Sequence, residues 1–567
     1  MIDTSAVQNF ISNFEARLVP AEKASSEAWW DLATKGTGEA KEEVVRSGME
    51  YNRLFADREE YELVKSWYER RHELEGSALA RQVEILYTSF AGRQGDDETL
   101  RRVEKLEAEA NAIYSNYRGL IRGEERSENE LREVLRSSED SSLRREAWEA
   151  SKSVGRELED IVREVATLRN ELARAEGYDN HYVRALDLQE IEAIELAHIM
   201  DGLEDATAPR FRDFKAKLDA GLRERFGAKD VMPWHYSDPF FQSCKQDATV
   251  FPRPASWGRS GDESGARDSG STRDRGSGTV VGLDVDRYFA GKDLKALTRK
   301  TYDNLGLEVR DVLARSDLYE RAGKDQHAFC MRMGREYPYD VRVLANIRPN
   351  SYWTDTMLHE FGHAVYDKYI NPALPYLLRT VAHTNVTEAI ALMMGSLVED
   401  PDWLSTVASA PKANLDEEAR EHLIWPEGED RLVFVRWALV MYHFEKALYK
   451  NPDREDLNGL WWDLVEQHQL VNRPPRRNEP DWAAKVHLAV TPVYYHNYVL
   501  GHLIAAQLRH HLERWVTTGK PFFASEVAGR YLLETVFGPG ARDNWQDTVL
   551  RATGERLTPE YFMEPLR

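Results

Sequence analysis

The chain has 567 residues, of which 42% are hydrophobic and 30% charged, and its 75 Lys and Arg against 97 Asp and Glu leave a net charge of −22. That apolar content suffices for a large core and excludes wholesale disorder, while the acidic balance excludes nucleic acid as a partner, because phosphate contacts need a basic patch. Two cysteines, Cys244 and Cys330, cannot build a disulfide framework or a thiolate zinc cluster.

The N-terminus, MIDTSAVQNFISNFEARL, lacks the basic and apolar regions of a signal peptide. Residues 9–188 read as a succession of amphipathic helices. Leu100, Val103, Leu106, Ala110, Ile113 and Tyr117 recur at helical steps, as do Leu158, Ile161, Val162, Val165, Leu168 and Leu172, with Gly177 placed to end the second run. Residues 253–278 are rich in Gly, Ser, Arg and Asp and read as a flexible surface insert. Helical patterning resumes near residue 284. Residues 326–332 (QHAFCMR) and 341–347 (VRVLANI) are short and partly alternating, with Gly334 and Pro338 between them, which predicts a small hairpin or sheet. From residue 353 onward the pattern is helical again. No run approaches the roughly 18 apolar residues of a spanning helix, so no membrane is expected as a partner. With so few cysteines, a cytoplasmic address is expected.

The strongest chemical signal is LHEFGHAVYD, residues 358–367. His359 and His363 are four apart, so a helix places them on one face, where two imidazoles can grip one ion. Glu360 adjoins the first of them, positioned to reach a water on the ion rather than the ion itself. This is the HExxH arrangement, whose chemistry is water activation by Zn²⁺ with Glu as general base. Ser351 and Asp355 are candidate caps of that helix. A third ligand is available in Glu388, within VAHTNVTEAIALMMGSL, which reads as a second helix reached through a turn at residues 371–375. Two His and one Glu leave a fourth position open, as catalytic zinc sites require.

HExxH followed by a Glu on the next helix resembles the gluzincin peptidases, and within them the angiotensin-converting enzyme family and the thimet oligopeptidase/oligoendopeptidase group. GHAVYDKYINPALPYLLR is similar to the first, and VTEAIALMMGSL to the second. The resemblance implies that His359, His363 and Glu388 hold one zinc ion and that Glu360 is the general base. It implies that QHAFC is the edge strand holding the substrate backbone, with His327 and Ala328 in contact with peptide. In AKVHLAVTPVYYHNYVLGHLIAAQL, His487 matches the histidine that stabilises the tetrahedral intermediate. Tyr495 and Tyr498 match the tyrosine pair, with Tyr494 offering a register one residue away. Lys485 stands where angiotensin-converting enzyme has the lysine that receives a substrate C-terminal carboxylate.

There are departures from that enzyme. Leu392 replaces an acidic partner of a zinc histidine, and Asn497 replaces a chloride-binding arginine. The step from His487 to Tyr498 is one residue longer. The glutamine partner of the lysine has no clear counterpart; Gln242, in DPFFQ, fits it only weakly. These points lean toward the oligopeptidase side.

The expectation is therefore a mainly α, single-domain zinc metallopeptidase. Two helical halves enclose a deep channel, with one small β-sheet near the site, a helical lid over residues 1–188 and a catalytic core over 284–567. Its substrates are expected to be short peptides, and the sequence sets no oligomeric state. The alternatives are a dipeptidyl carboxypeptidase of the angiotensin-converting type and a non-catalytic peptide-binding scaffold.

Overall fold

The computed structural model describes residues 2–74, 76–245, 247, 285–411, 415 and 417–564. The insert expected at residues 253–278 lies outside the described residues. The N-terminal half is built from α1 (Thr4–Lys35), α2 (Gly38–Phe55), α3 (Arg58–Glu69), α4 (Ala78–Ala91), α5 (Asp97–Asn116), α6 (Glu128–Ser137), α7 (Ser141–Ser153), α8 (Gly155–Ala175), α9 (His181–Leu188) and α10 (Ala193–Phe226). The two runs picked out by periodicity are α5 and α8. Gly177, at φ +93°, follows the end of α8, where Tyr178 N–H returns to the Ala173 carbonyl.

One feature of this half departs from the all-helical expectation. Strands β1 (Gly119–Ile121) and β2 (Glu124–Arg126) pair antiparallel between α5 and α6. The turn is Arg122–Gly123, both at positive φ, the backbone that a tight hairpin requires. Three-residue strands are too short to show alternation in a sequence.

The second half contains α11 (Leu294–Asn304), α12 (Arg310–Arg315), β3 (Phe329–Arg332), β4 (Val341–Leu344), α13 (Ser351–Lys368), α14 (Thr384–Gly395), α15 (Pro401–Thr406), α16 (Glu417–Lys450), α17 (Leu457–Leu464), α18 (His487–Val490) and α19 (Tyr495–His511). Strands β3 and β4 pair antiparallel from Phe329↔Leu344 to Arg332↔Val341, and so are shorter than the predicted runs. The pairing begins only at Phe329, so His327 and Ala328 precede the strand. Among the described residues there are thus two small hairpins, not one sheet. No helix among them is long and apolar enough to cross a membrane.

Helices α13, α14 and α19 stack through one core that includes Met357, Leu358, Phe361, Ile390, Met393, Leu500 and Ile504. A separate cluster joins Val7, Phe14 and Leu18 of α1 to Phe55, Phe90, Tyr376 and Leu377. It seats the N-terminal helices on the segment that follows α13.

Glycine sets the closest approach between α13 and α14. A Cβ at Gly362 would lie 2.8 Å from Ala391 Cα and 3.2 Å from its N. Neither is a flexible side-chain end, so the helices would have to separate. Gly362→Ala is expected to destabilise the fold by about 1–3 kcal/mol, read as a lower denaturant midpoint with an unchanged slope.

Candidate active site and metal centre

Helix α13 starts at Asn350, whose side chain accepts the Trp353 N–H at 2.9 Å, so the cap is Asn350 rather than Ser351 or Asp355. His383 caps α14 by accepting the Asn385 N–H at 3.1 Å. Between these starts the two helices bring three side chains together. His359 Nε2 lies 3.8 Å from Glu388 Oε2, and His363 Nε2 lies 3.9 Å from Glu388 Oε1. The three donor atoms fall within 4.8 Å of one another. Tetrahedral zinc with bonds of about 2.05 Å needs donors about 3.3 Å apart, so a small contraction closes the set on an ion.

The electrostatics suit such an ion. Burial pushes His359 down to about 4, and burial with the neighbouring His359 pushes His363 down to about 3, so both imidazoles present neutral lone pairs. Burial raises Glu388. Glu360, on the same helix, is only 8% exposed. Burial first, and then the Glu388 charge, push it up to about 8, against a backbone hydrogen bond from Cys330 that lowers it.

Leu392 does not orient a ligand; it packs where α19 crosses, beside Gly501. The structure supplies a different partner, since Thr387 Oγ1 is 2.7 Å from His363 Nδ1. Thr387 directly precedes Glu388, so one turn of α14 carries both a donor atom and the group that aims another. Sequence reasoning missed it because a Thr in a helix interior looks unremarkable.

Two cavities meet at this point. One, of about 480 Å³, is lined by Ala328, Phe329, Cys330, His359, Glu360, His363 and Glu388, with Arg332, Arg335 and Glu22 further along. Arg332 pairs with Asp367 at 3.2 Å, and Arg335 reaches across to Glu22 of α1 at 2.8 Å. The second cavity, of about 570 Å³, shares His359 and extends to Gln242 and His502. His327 is exposed in the turn before β3, its N–H bonded to Asp325 at 2.9 Å, while Ala328 reaches the cavity.

Tyr494, Tyr495 and Tyr498 cluster with His487 at the start of α19. Ring centroids are 5.4 Å apart for Tyr495 and Tyr498, 5.3 Å for Tyr494 and Tyr498, and 5.4 Å for His487 and Tyr495. Burial and the Glu388 charge raise both Tyr494 and Tyr498, so both phenols stay protonated donors within electrostatic reach of the triad. Burial, with Lys485 nearby, lowers His487 to about 4. The long link from His487 to Tyr498 is absorbed at Val493, which stands at φ +51°. Glu445 accepts its N–H at 2.7 Å, Gln189 donates to its carbonyl at 2.9 Å, and Arg169 donates to the Ala489 carbonyl at 2.6 Å.

Lys485 is 9% exposed and donates to Gln242 Oε1 at 3.1 Å, while Tyr495 OH lies 3.4 Å from the same oxygen and accepts from Trp437 Nε1 at 2.7 Å. Its ammonium also lies 5.4 Å from the Tyr495 and Trp437 ring centroids. Burial pushes Lys485 down to about 8.

Two histidines and a glutamate on adjacent helices, with a buried glutamate beside the first histidine and tyrosines clustered nearby, form a candidate metal centre of the gluzincin type. The chain belongs to the angiotensin-converting enzyme family, Peptidase M2, which matches residues 1–235 and 327–564. An angiotensin-converting enzyme of Haematobia irritans exigua is 26% identical over 303 residues, 50% of this chain and 47% of that protein. Carboxypeptidase 1 of Bacillus subtilis (strain 168) is 25% identical over 273 residues, 43% of this chain and 53% of that protein. The chain thus spans about half the length of the curated relatives it matches. Gln242 lies in the stretch between the two matched segments.

Thr387→Val keeps shape and removes the bond to His363. It is expected to weaken zinc affinity about 10–100-fold without unfolding the chain, as measured by chelator competition.

Proposed function

We propose that this chain is a zinc-dependent peptidase acting on short peptides, and that it releases C-terminal dipeptides. The observation that carries the second part is the buried Lys485 held by Gln242 beside Tyr495. A desolvated ammonium with no carboxylate partner among the described residues is a receptor for a carboxylate from outside. Steps of 5.4 Å from the Tyr498 ring to the Tyr495 ring and from that ring to Lys485 Nζ bound the reach at about 11 Å, and two extended residues span about 7 Å. That reach is compatible with a peptide whose last two residues run from Lys485 toward Tyr498. The departures at Leu392 and Asn497 lean toward an oligopeptidase, but the missing glutamine partner is supplied by Gln242.

His359, His363 and Glu388 would hold the ion. A bound zinc supplies Lewis-acid polarisation of the scissile carbonyl and lowers the pKa of its water. Glu360, buried and held by the Cys330 N–H, takes the proton from the attacking water and delivers it to the leaving amine. Tyr498 and His487 donate hydrogen bonds to the oxygen on which negative charge develops. The backbone near Ala328 lines the cavity along which the rest of the peptide lies.

Glu360→Gln is expected to bind zinc normally and to lose about 10²–10⁴ in kcat, measured on short free-acid peptides; undiminished turnover would sink this mechanism. Amidating the peptide C-terminus, or Lys485→Met, is expected to raise KM about 10–100-fold, the worth of one charge-assisted hydrogen bond. Equal cleavage of amidated peptides would make the enzyme an endo-acting oligopeptidase. Zinc binding without hydrolysis of any peptide in a mixed library would leave a binding scaffold.

The pH profile gives an independent check. Lys485 is an ammonium below about 8 and a neutral amine above it. On free-acid peptides kcat/KM should fall as pH rises through about 8, and on amidated peptides it should lack that limb.

A further inference from the structure

A second His–His–Glu group stands apart from the first and shares no residue with it. Glu204 is on α10 and His443 on α16. His468 is in the π-helical turn Val465–Gln469 that continues α17. His468 Nδ1 lies 3.2 Å from Glu204 Oε1, and His443 Nε2 lies 3.9 Å from Glu204 Oε2. The three donors fall within 4.8 Å of one another, the same spread as in the first triad. The two imidazoles lie nearly parallel, 6° apart, with centroids 4.9 Å apart.

The plain account of such a group is a pair of satisfied core histidines. That account fails on hydrogen bonding. His468 is 0% exposed, yet neither of its ring nitrogens has a hydrogen-bond partner among the described residues, and His443 Nε2 is buried without one. Burying a polar atom without a partner costs about 1–3 kcal/mol, and a cation between the rings and Glu204 would engage one nitrogen of each. The two rings face one carboxylate, His468 Nδ1 against Oε1 and His443 Nε2 against Oε2. Neutral rings aimed at a carboxylate are what a divalent cation binds.

The surrounding charges are of both signs, Arg212 among the positive ones. Arg436 spends its N–H groups on the frame, donating to the His468 carbonyl at 2.6 Å, the Glu204 carbonyl at 3.2 Å and Thr207 Oγ1 at 3.3 Å. Arg436, itself on α16, therefore ties that helix to α10 and to the π-helical turn, the three elements that carry ligands, and leaves the Glu204 carboxylate to the histidines. Its charge and that of Lys446 oppose a cation, while Asp201 and Glu204 favour one. The next residue of the turn, Gln469, donates to the carbonyls of Phe240 at 3.1 Å and Phe241 at 2.7 Å, just before Gln242.

We propose that Glu204, His443 and His468 form a second divalent-cation site, of the class filled by Zn²⁺ or Co²⁺, that ties α10, α16 and the π-helical turn together. Two imidazoles and one carboxylate suit first-row transition ions better than Ca²⁺ or Mg²⁺. With Arg436 beside it, the site binds more weakly than the first. Its structural consequence is to brace the turn behind Gln242.

The test counts ions in the full chain, stripped by chelation and dialysed against Zn²⁺. The wild type is expected to hold two per chain. A chain carrying His359→Ala and His363→Ala is expected to hold one, to show a Co²⁺ absorption band and to melt at a higher temperature when Zn²⁺ is added. Adding Glu204→Gln and His443→Ala should abolish all three signals. These two side chains are 26% and 29% exposed, so they are safer to replace than the buried His468. The proposal is overturned if the chain with His359→Ala and His363→Ala holds no ion, or if its ion survives the further replacements. Should the first site fail and the second hold, both the wild type and the chain lacking His359 and His363 carry one ion, so the two readings fail separately.

Discussion

Two imidazoles on one helix and a carboxylate on the next can share an ion only where the helices cross almost backbone to backbone. Here that crossing is made by Gly362 against Ala391. A side chain at Gly362 would push α14, and Glu388 with it, away from His359 and His363. The third helix is held to the same standard, since α19 meets α14 at Gly501, against Glu388 Cβ. The donor atoms and the tyrosine cluster are thus positioned by glycine contacts rather than by polar bonds to one another.

Close packing has a second effect, which is desolvation. It makes the imidazoles neutral, raises Glu360 and the tyrosines, and lowers Lys485. Each shift follows from removing water from a charged form. The outcome is a site whose members hold their protons in the state that their proposed roles need, apart from Glu360. That carboxyl is raised by burial and the Glu388 charge, and a positive charge nearby would favour its ionised form. The same effect acts at Glu204, His443 and His468, where it leaves ring nitrogens without partners.

The parts legible in the sequence are those that depend on local geometry. His359 and His363 share a face because four residues make about one helical turn. The runs from Leu100 and from Leu158 show their helices because every third or fourth residue is apolar. What escaped was short, distant or locally unremarkable. The β1–β2 hairpin has three residues per strand. Asn350 was passed over as a cap in favour of Ser351 and Asp355. Thr387 could have been found from its place beside Glu388. Gln242 and Lys485 meet across 243 positions, a pairing that no spacing rule reaches.

By itself, then, the sequence determined the helical class, the HExxH face and the identity of a third carboxylate, because periodicity and short-range spacing are properties of one element at a time. Tertiary structure decided which groups converge. It brought Glu388 opposite the two histidines, placed Gln242 under Lys485, gave His363 its Thr387 partner and left His327 in an exposed turn. It also gathered Glu204, His443 and His468 from three separate elements. These outcomes depend on how side-chain volumes at helix crossings set distance and angle, and that information is distributed over residues far apart in the chain.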